Sequence, residues 1–269
     1  MTDAAFRKLV LSYWRLRGRH DLPWRKHINP YRVLVSEVML QQTQVPRVIE
    51  KYQEFLRAFP SFRALAIAST AGVLKVWQGL GYNRRALMLQ RCAQEVTCEY
   101  GGTLPADYKT LQTLPGIGPY TAGAVLAFAF DIPHPMIETN IRRVYIHHFF
   151  SGRKEVADAE ILPLVERHLG RIASARDWYG ALMDYGTYLA QTIPNPNRRS
   201  RHHVRQASFA GSMRQIRGSV IRALLEGKRF TPDQLARRVA DPRLPAVLDA
   251  LEREGFVSRV HGRLQVHEG

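Results

Sequence analysis

Leu114-Pro115-Gly116-Ile117-Gly118-Pro119-Tyr120-Thr121-Ala122 decides how this chain is read. The stretch joins a short helical segment to an apolar one through two glycines set two residues apart. Glycine permits the positive backbone dihedrals of a tight hairpin, and the amides that open the following helix point outward, where a phosphate can accept them. The run is a full helix-hairpin-helix signature, a device that grips one DNA backbone without reading its sequence. Gly116, Gly118 and Thr121 are the positions expected to meet phosphate.

On either side of the hairpin apolar residues recur at helical spacing, as in Val33, Val38, Met39, Val45, Val48 and Ile49, then Val125, Leu126, Phe128 and Ala129. Strand-like alternation is scarce, and Asn29-Pro30, Phe59-Pro60, Gly101-Gly102 and Ile132-Pro133-His134-Pro135 punctuate the helices. The fold expected is mainly α, with a helical domain over residues 1–192. Residues 193–212, rich in Pro, Asn, Arg and Ser, have little to bury and are expected to form a basic linker or DNA-facing loop. In residues 213–269, Ile216, Val220 and Leu224 are spaced as one helix and Thr231-Pro232-Asp233 opens a second. A third, Leu244 to Glu254, stops at Gly255, and two alternating strands flank His261-Gly262. Three helices and a hairpin are the order of a winged helix, whose third helix often enters the major groove; such a domain also serves for protein contact.

The net charge of +16, from 39 basic and 23 acidic residues, is the footprint of a polyanion binder. From Tyr185 to Leu225 there is no Asp or Glu, while Arg198, Arg199, Arg201, Arg205, Arg214, Arg217 and Arg222 all fall there. A hydrophobic share of 45% fills a real core. No run has secretory character or approaches the roughly 18 apolar residues of a membrane span, so the expected location is the cytoplasm, at the nucleoid, with no membrane contact. Cys92 and Cys98 fit neither a disulfide framework nor a zinc pattern and read as plain thiols. The pairs His147-His148 and His202-His203 diverge in direction, and no metal is expected. Trp24, Trp77 and Trp178 read as core.

Two carboxylates carry the chemistry. Glu138, in Pro135-Met136-Ile137-Glu138-Thr139-Asn140, stands where a helix begins, near amide donors that keep it ionised. An anion there suits the oxocarbenium-like sugar cation that forms as a glycosidic bond stretches, although alone it reads as a helix cap. Glu37, in Ser36-Glu37-Val38-Met39-Leu40-Gln41-Gln42-Thr43, is a lone acid in an apolar helix. Burial would raise its pKa toward that of a general acid able to protonate a purine ring nitrogen. Gln41 and Gln42 supply amides able to fill a hole in a base stack.

Leu22-Pro23-Trp24, Pro30-Tyr31, the Ser36–Val45 run, Trp77-Gln78-Gly79-Leu80-Gly81-Tyr82, the hairpin and the Glu138–Val144 run occur in an order and spacing that resemble the MutY-type adenine DNA glycosylases of the HhH-GPD superfamily, over roughly residues 20 to 190. The resemblance implies a two-lobed helical domain cleft by the active site, with the hairpin holding the strand that carries a flipped base. It makes Glu37 the general acid and Glu138 the carboxylate that stabilises the sugar cation. Gln42 and Tyr82 become residues that enter the stack, and Tyr120 and Asn140 active-site residues around the second carboxylate. Glycosylases that also nick the strand carry lysine where Tyr120 stands, so base removal without efficient strand cleavage is expected.

Three departures bear on the substrate. The family's second carboxylate is usually aspartate, and here it is Glu138. The four cysteines that ligate an iron–sulfur cluster, expected after Ala190, are absent, so no cofactor is expected; Arg198, Arg199 and Arg201 are expected to take over phosphate contacts of the cluster loop. The residues from Met213 onward are too few for the domain that reads 8-oxoguanine in the family. The expected enzyme is therefore a monofunctional, monomeric DNA N-glycosylase acting on duplex DNA with a damaged, mismatched or modified base, foremost adenine or N6-methyladenine. Thymine or uracil in a mismatch is the alternative base, and a catalytically inactive DNA-binding protein the alternative of another class.

Overall fold

The computed structural model describes residues 1–204, 208–227 and 229–267. Arg205, counted above among the basic residues, lies outside the described residues. The order begins α1 (Asp3–Arg17), α2 (Pro23–Lys26), α3 (Pro30–Leu40), α4 (Val45–Ala58), α5 (Phe62–Ala66), α6 (Thr70–Trp77), α7 (Arg84–Glu99) and α8 (Tyr108–Thr113). It continues with α9 (Pro119–Phe130), α10 (Thr139–Phe149), α11 (Asp158–Leu169), α12 (Ala175–Thr192), α13 (Met213–Leu225), α14 (Pro232–Val239) and α15 (Leu244–Arg253), then β1 (Val257–Val260) and β2 (Arg263–Val266). The mainly helical expectation holds. No described helix is long and apolar enough to cross a membrane.

Starts follow short polar side chains that satisfy the first-turn amides: Ser61, Ser69, Asp107, Ser174, Ser212 and Thr231 each accept from the residue three further on. The chain divides into two compact units, Met1–Glu37 with Leu104–Arg205, and Val38–Thr103 with Gln206–Gly269.

In the first unit α1 and α10 pack on α12 around Phe6, Val10, Tyr145, Trp178, Tyr179 and Leu182. Phe6 meets the rings of Tyr145 and Trp178 edge-on, at 5.4 and 5.9 Å. Gly186 lets α12 approach α10: a Cβ at this position would lie 2.5 Å from the Asn140 carbonyl oxygen. Helix α9 is buried throughout Thr121–Ala127, which is why its sequence is apolar on every face. Asp184, 2% exposed, accepts from Arg19 Nε at 2.8 Å and from Arg25 Nη1 at 2.8 Å, fixing α2 and the turn before it to α12. Burial opposes ionisation of Asp184, but Arg25 and Arg19 outweigh it and hold its pKa below the ordinary carboxylate value.

In the second unit α4 packs on α6, and α5 and α6 on α7, around Phe55, Leu65, Leu74 and Trp77. The residues from Met213 add α13, α14, α15 and the antiparallel β1–β2 pair, in register Val257↔Val266. Their turn uses His261 at φ 49° and Gly262 at φ 73°, the two left-handed residues a two-residue hairpin needs. Phe230 pairs with Leu264 through two backbone bonds of 2.7 and 3.2 Å, an isolated antiparallel bridge beside the hairpin. Arg217 on α13 forms a bidentate pair with Glu254 at 3.0 and 2.7 Å.

Candidate active site

The hairpin is anchored from below by Leu111, Leu114 and Ile117, all buried. Gly116 has φ 77°, a left-handed conformation that favours glycine, whereas Gly118 has φ −89° and a Cβ there would meet nothing within 4 Å. The two glycines therefore serve different ends, Gly116 the turn and Gly118 an uncovered backbone at the start of α9. Thr121 is 3% exposed, so its side chain turns into the protein and is not presented to a phosphate, against expectation.

In the first turn of α9, the Tyr120 hydroxyl donates to Glu37 Oε2 at 3.1 Å. Glu37, near the end of α3, is 7% exposed. Loss of hydration pushes its pKa up to about 7; the Tyr120 hydrogen bond and the Arg25 charge oppose this, while the Glu138 charge adds to it. Tyr120 itself is held well above the usual phenol range by burial and by the two carboxylates, so it stays a donor.

Glu138 is the N-cap of α10. Its Oε1 accepts from the amides of Asn140 and Ile141 at 2.7 and 2.9 Å, and Oε2 from Asn140 Nδ2 at 3.3 Å. Cap and candidate catalytic group are thus one residue, and the longer side chain reaches back over its own helix to be both. Burial nevertheless raises its pKa above the ordinary value, although the amides, Arg143 and Arg142 favour the charged form. The amides thus fail to depress its pKa as the sequence led us to expect. Glu37 faces one hydroxyl donor and Glu138 three N–H donors, a difference suited to an acid beside an anion.

Asn140 is fixed at both ends, donating to Glu138 while its Oδ1 accepts from Arg143 Nη1 at 2.6 Å. Arg143 also donates to the Gly186 carbonyl at 2.8 Å and to Asn195 Oδ1 at 3.1 Å. Tyr120, expected around the second carboxylate, instead bonds the first, and Glu138 reaches it through charge. Arg143 was missed by sequence reasoning. Its signal was an arginine three residues from Asn140, on the helix face that carries Ile141, Val144 and Tyr145 inward.

In the second unit Gln42 and Tyr82 both have left-handed backbones, φ 55° and 47°. Between their loops lies Arg85, also missed, whose Nη1 donates to the carbonyls of Val38, Met39 and Gln41 at 2.7, 2.9 and 2.6 Å. Its Nη2 donates to Thr43 Oγ1, Leu80 O and Gly81 O at 3.0 to 3.2 Å. Burial lowers its pKa to about 10, which leaves it charged at neutral pH. Arg85 ties the loop of Gln41 and Gln42 to the turn that presents Tyr82.

The first part of 193–212 is not a loose linker. Pro196–Arg199 forms a 3-10 turn with Pro196 and Asn197 buried, and Asn197 Nδ2 donates to Thr139 O at 2.8 Å. Arg199 donates to the carbonyls of Phe150, Ser151 and Ile146 at the far end of α10, so its guanidinium caps a helix and does not face phosphate as expected. Arg201 pairs with Glu155 at 2.8 Å and remains mostly exposed, and Arg198 is exposed. This segment thereby braces both ends of α10, the helix that begins at Glu138. Cys92, buried, and Cys98, exposed, both lie on α7 as free thiols. Among the described residues no group of three or more His, Cys, Asp or Glu side chains is placed to hold a metal ion.

An outward-facing hairpin backbone with a buried acid and a capped carboxylate in the same unit defines a protein that holds a nucleic-acid backbone and is equipped for acid chemistry. The chain belongs to the HhH-GPD superfamily of base excision DNA repair proteins, whose family pattern matches residues 35–179. It is 34% identical over 270 residues to the adenine DNA glycosylase of Mycolicibacterium smegmatis, across 93% of this chain and 92% of that protein. With the adenine DNA glycosylase of Mycobacterium tuberculosis it shares 46% identity over 135 residues, half of this chain and 44% of the relative. Among solved structures, a thermostable thymine-DNA glycosylase superposes with a TM-score of 0.62 at 26% identity, over 72% of this chain and 90% of that one.

Proposed function

We propose that this protein is a monofunctional DNA N-glycosylase that releases adenine, or adenine modified on its exocyclic amine, from duplex DNA. The observation that carries the proposal is Glu37, buried against Tyr120 with a pKa near 7, in the same unit as Glu138. At neutral pH a large fraction of Glu37 holds its proton and can give it to a purine ring nitrogen of a flipped base. The bond from the sugar to the base then breaks with its electron pair leaving on the base, and ionised Glu138 stabilises the sugar cation. Water adds to that carbon and returns its proton to Glu37. Tyr120 offers no amine for a Schiff base, which favours base release without strand cleavage.

The adenine assignment draws on the relatives' names and on the acid, which suits a purine. The likeness to a thymine-DNA glycosylase favours a second reading, a mismatched pyrimidine. The enzyme would act as a monomer, without a cofactor, on nucleoid DNA in the cytoplasm. Excision from duplexes carrying adenine opposite 8-oxoguanine, N6-methyladenine, or mismatched thymine or uracil separates these readings. Release of no base removes the enzymatic assignment, and Glu37→Gln as active as the parent removes Glu37 as the acid. Strand breaks formed without alkali refute the monofunctional one.

A further inference from the structure

We propose that Arg214 is a positioning residue for Tyr82, through which the helices after residue 212 take part in lesion recognition. The inference rests on the reading above in that Tyr82 must enter the base stack. Tyr82 ends a turn whose backbone is left-handed at Gly79, φ 91°, at Gly81, φ 72°, and at Tyr82 itself, φ 47°. For a tyrosine that conformation is unfavourable, and it persists only where the surroundings hold it. The ring lies 5.5 Å from the guanidinium of Arg85 and 5.5 Å from that of Arg214.

The two arginines do different things. Arg85 is committed to the carbonyls and hydroxyl around it and forms a fixed support. Arg214 comes from the first turn of α13, and its Nη1 donates to the Tyr82 hydroxyl at 2.6 Å. Charge-assisted bonds of this length are the strong ones. The base of α13 is itself secured, with Ser212 as its cap and the Gly211 amide donating to Gln215 Oε1 at 2.7 Å. A ring held at its support and at its hydroxyl has one orientation to present, and a group ordered before it binds loses less freedom on insertion. Arg214 lies beyond the residues 35–179 that match the family.

The test uses the full-length protein with a duplex carrying the target adenine and 2-aminopurine beside it, whose fluorescence rises when the stack is opened, whether or not a base is released. The proteins are Arg214→Ala, Arg214→Lys, Tyr82→Phe and the double variant Tyr82→Phe with Arg214→Ala. Arg214→Ala and Tyr82→Phe are each expected to cut the fluorescence rise and to weaken half-saturation on the target duplex about tenfold to a hundredfold, the worth of a charged hydrogen bond. The double variant should be no worse than either single one. Arg214→Lys, which keeps a charged donor, should recover most of the signal, and binding to an undamaged duplex should change no more than about twofold. Additive losses overturn the proposal, as do equal weakening on target and undamaged duplexes, which would mark a plain phosphate contact, or no change at all. Thermal melts identify a misfolded Arg214→Ala, and Tyr82→Phe, which keeps the ring, carries the test independently. A fluorescence rise in the parent with no base released would sink the enzymatic reading and leave this one standing.

Discussion

Replacing Glu37 by glutamine separates the chemistry of that residue from its cost to the fold. In the folded protein its pKa is about 7 against 4.5 in the reference state, a gap of about 2.5 units. At 1.36 kcal/mol per unit this corresponds to about 3 kcal/mol, an upper bound. The folded state holds a proton that the unfolded chain gives up between those two values. The stability from Glu37 is therefore fully present below about pH 4.5, falls as pH rises, and is lost above about 7. Glutamine keeps the shape and can still accept from Tyr120, but has no charge to bury. Glu37→Gln should thus be more stable than the parent by up to about 3 kcal/mol at pH 8, a gap narrowing to about 1 kcal/mol or less at pH 5. Excision should fall at least about a hundredfold, the usual worth of a general acid. Urea denaturation at both pH values, with single-turnover excision from pH 5.5 to 8.5, measures both. A stability difference independent of pH, or parent excision that does not decline as pH rises through 7, would refute a buried acid titrating near neutrality.

The hairpin glycines should separate by urea denaturation and DNA affinity: Gly116→Ala forces alanine into a left-handed backbone and should lose about 1–2 kcal/mol. Gly118→Ala meets nothing and should leave stability unchanged while weakening DNA affinity; unaltered affinity, by fluorescence anisotropy, would remove the phosphate role from that backbone. Gly186→Ala places a Cβ 2.5 Å from Asn140 O, so α10 and α12 must part, costing about 1–3 kcal/mol, and excision should drop further than the stability loss explains because Asn140 holds Glu138. Arg85→Lys cannot reach acceptors on both sides; a loss of about 2–3 kcal/mol is expected, with faster amide exchange at Gln41–Thr43 and Gly79–Tyr82 by mass spectrometry.

What the sequence made legible was local. Helical spacing, the Gly116 turn, the cap at Thr231 and the isolation of Glu37 among apolar neighbours each depend on residues within a turn or two of one another. What it hid depends on backbone carbonyls far along the chain, which leave no mark in a side-chain pattern. Arg85 finds Val38 and Arg143 finds Gly186, 47 and 43 positions away, and neither partner's identity announces an acceptor. The segment after Thr192 misled for a related reason: Pro, Asn and Arg resemble a solvated linker, yet Asn195, Asn197 and Arg199 spend their polar groups on α10. Tyr120 was expected around Glu138, and that it bonds Glu37 instead depended on side-chain geometry that the sequence does not show.

Asp184 gathers Arg19 and Arg25 across 165 and 159 positions, and Tyr120 reaches Glu37 across 83. During synthesis at about 5–20 residues per second, the first arm waits roughly ten to thirty seconds before α12 exists to receive it. Throughout that interval Phe6 and Val10 lack the surface that buries them, and an unfinished chain has reason to need a chaperone. The same delay keeps the acid silent: no nascent fragment that stops short of the hairpin can hold Glu37 in the setting that raises its pKa, so the capacity to cut a base from DNA comes only with the assembled unit.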